Sequence, residues 1–226
     1  MKLFWVLAWL LFSCEEKDLP LDEPTLTTAT LRLRSAVNNS FLAEVPIYSS
    51  VDSTTILTEE DGRATVLVHQ DSPYSITAAT EADMAHIYQG QAGAEPFEVV
   101  GYLSDRATTE SVYNYLGITV EQSTGIVVVA LDYPNLSPVY GASAAISSTY
   151  DVSFVFGQTL PAIGDTLVEN GSSFVSFANV ALGPSSISVT PPEGVACRSF
   201  PAGQTNVGTD VEVYADTVTV AVFECE

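Results

Sequence analysis

Beyond residue 26 the chain is written in short runs of alternating apolar and polar positions. Leu31-Arg32-Leu33-Arg34, Ala64-Thr65-Val66-Leu67-Val68, Ser75-Ile76-Thr77 and Val152-Ser153-Phe154-Val155-Phe156 follow this pattern. So do Phe174-Val175-Ser176-Phe177, Ile187-Ser188-Val189-Thr190 and Val211-Glu212-Val213-Tyr214, while Ile126-Val127-Val128-Val129 and the stretch from Val218 to Phe223 are richer still in β-branched residues. Val, Ile, Thr, Phe and Tyr at period 2, broken by Asp-Gly, Asn-Gly, Gly-Pro and Ser-Pro, predict an all-β protein of sandwich type. One segment departs from the period. In residues 107–117, Val112, Tyr115 and Leu116 sit at i, i+3 and i+4, with Thr108 or Thr109 able to cap the start and Gly117 able to close the end. A short helix is expected there, on a sheet edge or between domains.

The strand pattern repeats. Glu60-Asp61-Gly62, Thr65-Val66-Leu67-Val68 and Ser72-Pro73-Tyr74-Ser75-Ile76 form one series; Glu169-Asn170-Gly171, Phe174-Val175-Ser176-Phe177 and Gly183-Pro184-Ser185-Ser186-Ile187 form the other. Upstream, Phe41-Leu42-Ala43-Glu44-Val45-Pro46-Ile47 parallels Pro138-Val139-Tyr140-Gly141-Ala142-Ser143-Ala144 at an offset of about 97 residues, against about 110 within the series, so loops differ while strand order persists. Two tandem domains of one fold account for this better than one large sandwich. The expected layout is a leader over residues 1–13, a tether over 14–26, a first sandwich over 27–122 and a second over 123–226.

These strands and turns resemble the carboxypeptidase regulatory-like domains. The likeness rests on a valine-rich strand, Gly141-Ala142 with Ala144 and Ile146, Glu-Asp/Asn-Gly, and Gly/Ser-Pro-x-Ser-Ile. Residues 126–190 carry it best; residues 31–79 carry it with Val45-Pro46 in place of the small pair. The resemblance implies transthyretin-like, Ig-like β-sandwiches of about seven strands, used as accessory modules on exported bacterial proteins. It implies no catalytic residues, because its motifs are turn and core chemistry.

The leader is different in kind. Lys2 gives a positive start, residues 3–12 an apolar run, and Ser13 a small residue before Cys14, which is the order of a secretory signal. A run of about ten residues is too short to cross a ~30 Å hydrocarbon core, which takes ~20. Leu11-Phe12-Ser13-Cys14, followed by Glu15-Glu16, resembles the lipobox of bacterial lipoprotein precursors, with Phe12 bulkier than that motif usually carries. The resemblance implies that Cys14 is acylated and becomes the first mature residue. The competing reading is an ordinary signal peptide with an incidental cysteine. The tether that follows is acidic, carries Pro20 and Pro24, and shows no period, as expected of an extended spacer.

Charge narrows the partners. The 226 residues hold 28 acidic and 7 basic side chains, a formal net charge of −21, and loss of the leader removes one more base. Such a surface repels nucleic-acid phosphates, so nucleic-acid binding is excluded as a function class. With Cys14 assigned to lipid, Cys197 and Cys225 remain as an even pair in an oxidising compartment, and a disulfide between them is expected. It would close a loop worth roughly 3–3.5 kcal/mol in the chain-entropy model. A reactive thiol is disfavoured, since Arg198 is the one nearby cation in sequence.

Chemistry is sparse. His69 follows a strand and His86 lies three residues after Asp83, far from any further His or Cys; a solvated loop histidine is expected at 86 rather than a metal ligand. No Gly-x-Ser-x-Gly elbow occurs, and no carboxylate pair stands in a distinctive frame. Glu59, Glu60 and Asp61 form an acidic turn that offers oxygen ligands to a hard cation, although Asp-Gly is first of all hairpin chemistry. Tyr102, Tyr113, Tyr115, Tyr133, Tyr140 and Tyr150 concentrate centrally, and Trp5 and Trp9 both lie in the leader. The expectation is a non-enzymatic protein without cofactor, exported and held to the bacterial envelope through its N-terminal lipid, at the outer membrane by default. It would bind an envelope protein or polysaccharide or act structurally. An accessory subunit of an exported enzyme or transport complex, or a calcium-dependent adhesive module, is the alternative.

Overall fold

The computed structural model describes residues 24–51, 54–80 and 84–226. Cys14, the leader and most of the tether lie outside the described residues, as does Asp83. The first strands are β1 (Leu26–Ser35), β2 (Pro46–Ser49), β3 (Ile56–Leu57), β4 (Arg63–His69), β5 (Pro73–Ala78), β6 (Ala85–Gln91) and β7 (Phe97–Leu103), followed by helix α1 (Arg106–Leu116). Then come β8 (Gly125–Asp132), β9 (Ser143–Ile146), β10 (Val152–Phe156), β11 (Pro161–Ile163), β12 (Phe174–Val180), β13 (Gly183–Thr190), β14 (Cys197–Ser199), β15 (Thr209–Val213) and β16 (Thr217–Cys225).

These elements make two tandem β-sandwiches with the helix between them, and both use the same wiring. In the first, β1 pairs antiparallel with β4 and parallel with β7; in the second, β8 pairs antiparallel with β12 and parallel with β16. The facing layers correspond as well, β2-β5-β6 in one and β9-β13-β15 in the other, antiparallel throughout.

The two sandwiches share a sheet. β16 pairs parallel with β8 on one side and parallel with β6 on the other, with Val220 opposite Val128 and Tyr88. One continuous sheet therefore runs β11-β10-β12-β8-β16-β6-β5-β2-β3, and β14 joins it through β16. Side chains alternate across a strand, so this sheet has two distinct faces. One face carries Ile47, Ile76 and Tyr88 into the first core, under the β4-β1-β7 layer. The other carries Val127, Val129, Leu131, Phe177, Ala221 and Phe223 into the second core, under β9-β13-β15. Close packing of β7 on β6 requires glycine at 101, because a Cβ there would collide with the Tyr88 ring.

Polar side chains lock the junction. Gln89, on the β6 face opposite Tyr88, donates from Nε2 to the Glu212 carbonyl and accepts at Oε1 from the Glu212 N–H, both at 2.9 Å. One amide side chain thus supplies β15 with the two bonds that a neighbouring strand would give. Asn179, buried at a bulge in β12, donates to Thr119 O and Asp151 Oδ2, each at 2.7 Å, and accepts from the Glu121 N–H at 3.2 Å. That fixes the segment between helix and β8. Cys197 and Cys225, opposite one another on β14 and β16, form the disulfide expected from the sequence.

The helix ends where glycine does, with Gly117 at φ 72°, but it begins earlier than Thr108 or Thr109 implied. Asp105 is the cap: its carboxylate accepts from the Thr108 N–H at 2.6 Å, satisfying an otherwise orphaned donor. Arg106, in the first turn, then makes a bidentate pair with Asp216 at 2.7 and 2.8 Å, tying the helix to the β15–β16 turn.

Candidate functional site

The shared sheet is wider than the layers that cover it. The three strands β4-β1-β7 cover the first-sandwich part of one face, with the Tyr88 hydroxyl donating to Tyr102 O at 3.0 Å where β7 ends. That same face continues over β16, β8, β12 and β10. Parity along each strand puts Val218, Val220 and Val222, Ile126, Val128 and Ala130, then Phe174, Phe154 and Phe156 on it. An ordinary solvent-facing sheet surface is polar at these positions. Here α1 covers a portion with Val112 and Tyr113, whose ring meets Phe154 edge-on with centroids 6.3 Å apart. The remainder is a cleft of ≈ 870 Å³, within the ~300–1,000 Å³ range of ligand pockets.

Tyr102 of β7 meets Phe174 of the floor edge to face at 5.4 Å, an aromatic contact between the two sandwiches within the cleft lining. Three carboxylates line the cleft: Glu98, Asp132 and Glu224. Glu98 is held by Arg63 at 3.1 Å and lies 3.9 Å from Arg32. Glu224 is held by Arg198 at 2.9 Å. Asp132, half-buried at the end of β8 and beside Glu224 in the sheet, has no ion pair among the described residues. Burial pushes its carboxyl up to about 6, against the pull of a hydrogen bond from the Ser173 hydroxyl. Among the described residues no lysine or arginine lines the cleft.

At another part of the lining the structure corrects the expectation for His86. It is buried, 4 % exposed, inside β6, on the face it shares with Tyr88, which turns towards the first core rather than towards solvent. Its Nδ1 donates to Met84 O at 3.0 Å, which leaves Nε2 as acceptor towards Ser104 Oγ at 3.5 Å, itself 3.3 Å from Thr109 Oγ1. Sequence reasoning had no access to this juxtaposition, which joins β6 of one layer to the segment that follows β7 of the other. It orients the helix rather than building a nucleophile. The Ser–His separation is at the outer limit of hydrogen bonding, and a backbone carbonyl accepts from Nδ1.

The other residues singled out from sequence stand elsewhere. Glu59 and Glu60 are exposed in the turn before β4, and the Asp61 carboxylate is paired with Arg63, whose hydrogen bond holds it below the usual carboxylate range. Among the described residues no group of three or more His, Cys, Asp or Glu is placed to hold a metal ion. His69 ends β4, away from the cleft. Of the central tyrosines, Tyr102, Tyr113 and Tyr133 line the cleft, Tyr150 packs on Phe177 at 5.0 Å, and Tyr115 and Tyr140 are exposed. No helix among the described residues is long and apolar enough to cross a membrane.

No family model matches the sequence, and no curated protein matches it. Solved structures with related β architecture include the TIE protein of Bacillus anthracis, at 9 % identity and TM-score 0.29, over 88 % of this chain and 34 % of that one. A minor pilin of Streptococcus agalactiae matches at 11 % identity and TM-score 0.28, over 88 % and 95 % of the two chains. The major pilin of Streptococcus pyogenes matches at 9 % and 0.28, over 90 % and 99 %. The chain thus spans about a third of the Bacillus protein's length. Superpositions this loose transfer neither site nor activity.

Proposed function

We propose that this chain is an exported, lipid-anchored protein of the bacterial cell envelope, acting as a non-catalytic binding module whose binding site is the cleft between its sandwiches. One observation carries the binding assignment. The sheet face that three strands cover in the first sandwich stays apolar through β16, β8, β12 and β10 but for Ser176, and there helix α1 covers it in part. Contiguous apolar surface of this kind is rare on soluble proteins unless something occupies it. The anchor rests on Lys2, the apolar run and Ser13-Cys14, and the modular character on the resemblance to carboxypeptidase regulatory-like domains.

Two measurements test the halves of this reading separately. Metabolic labelling with an alkyne fatty acid should mark the full-length chain and be lost in Cys14→Ala; labelling that survives the substitution rejects the anchor. Val128→Trp places an indole on the cleft floor. Organic extraction and mass spectrometry of full-length protein purified from its own envelope should recover an apolar molecule from the wild type and less than about a tenth as much from the variant. Equal recovery from both, or none from the wild type, rejects the cleft as the binding site.

A further inference from the structure

We infer that the cleft takes a single-chain amphiphile ending in a cationic group, its chain along the β8 and β16 floor and its charge at Asp132. This rests on the cleft being the binding site and adds the class of ligand.

Shape argues for a slim ligand. The Tyr102–Phe174 contact brings β7 against the β12 edge of the floor and narrows the room there, which favours an unbranched chain over a peptide strand. The floor for such a chain is Ile126, Val128, Val220 and Val222. Along β8 and β16 the floor offers such a chain aliphatic contact, with Ser176 of β12 beside Val128 as a polar neighbour, which suits an alkyl group better than a sugar.

Charge argues for a cation. Among the carboxylates in the lining, Glu98 and Glu224 already have arginine partners, and Asp132 has none among the described residues. No described arginine or lysine lines the cleft to receive a carboxylate or phosphate head group, and the chain's net charge of −21 repels one before it arrives. A half-buried carboxylate without a counter-charge is costly, and an ammonium beside it relieves that cost for protein and ligand together. The raised affinity of Asp132 for protons is the same demand expressed towards the smallest available cation.

The test uses full-length protein in lipid nanodiscs and three photoreactive probes on one diazirine-bearing C12 chain: the amine, the alcohol and the carboxylic acid. Labelled peptides are mapped by mass spectrometry. The amine is expected to label peptides spanning 125–132 and 217–225 about ten-fold more strongly than the acid, with competition by unlabelled dodecylamine. In Asp132→Asn, amine labelling should fall to the level of the alcohol while alcohol labelling persists, which shows that the cleft is still formed. Equal labelling of wild type by amine and acid overturns the cationic assignment and leaves the binding site standing. Absence of cleft labelling by all three probes overturns the binding site itself. Displacement of the amine by a lysine-flanked apolar peptide at lower concentration than by dodecylamine overturns the small-molecule occupant.

Discussion

Replacing Cys197 and Cys225 together with alanine should lower stability by roughly 3–4 kcal/mol, about 7–14 °C in melting temperature for a chain of this size. The bond closes a loop of 28 residues and fastens β14 to β16, both cysteines being almost fully buried. The consequence reaches further than one hairpin. β16 is the strand that both sandwiches share, giving Val218 and Val220 to the first core and Ala221 and Phe223 to the second. Loosening it weakens both cores at once. Circular dichroism melts of the double variant should therefore show a single cooperative transition moved downward. A shift under about 2 °C, or two separated transitions with the first sandwich unmoved, would falsify the claim that β16 couples the two.

How much of this was written in the sequence can be judged strand by strand. Period-2 runs located most of the strands, and the repeat offsets of about 97 and 110 residues foreshadowed the real correspondences: β2 begins at Pro46 and β9 at Ser143, β5 at Pro73 and β13 at Gly183. The shared sheet was not legible, because parallel pairing of β16 with β6 joins residues some 130 positions apart and leaves no turn signal between them. A trace of it was present all the same. Ile126-Val127-Val128-Val129 and Val220-Ala221-Val222-Phe223 do not alternate with polar residues, as a strand facing solvent on one side would. Unbroken apolar runs mark strands covered on both faces, and here the second face is the cleft floor. Asp105 was hidden for a different reason. In a chain with 28 acids, a capping carboxylate does not stand out from a solvating one.

Asp132→Asn should stabilise the protein at pH 7.5 by up to roughly 2–3 kcal/mol and at pH 4 by only about 0.5 kcal/mol. The folded carboxyl titrates near 6, whereas an unfolded one titrates near its ordinary value of 3.8. Between those values the folded chain keeps a proton that the unfolded chain has released, so wild-type stability falls as pH rises through the window. Above about 7 the penalty is complete and constant; asparagine never incurs it. Asp216, which its bidentate bond from Arg106 holds below the usual range, contributes in the opposite sense, gaining stability above pH 4. It is present in both proteins and cancels in the difference. Urea titrations at pH 4, 6 and 7.5 measure that difference, and a variant less stable than wild type at pH 7.5 would sink the claim. The groups around Asp132 explain why no rescue comes from within the fold. Glu224 stands beside it on β16 and is occupied with Arg198 of β14, and from the β12 side Ser173 offers only a hydroxyl. A charge kept unpaired at the mouth of an apolar cleft, at a cost one substitution removes, is the kind of expense that stability alone does not explain and a cationic ligand does.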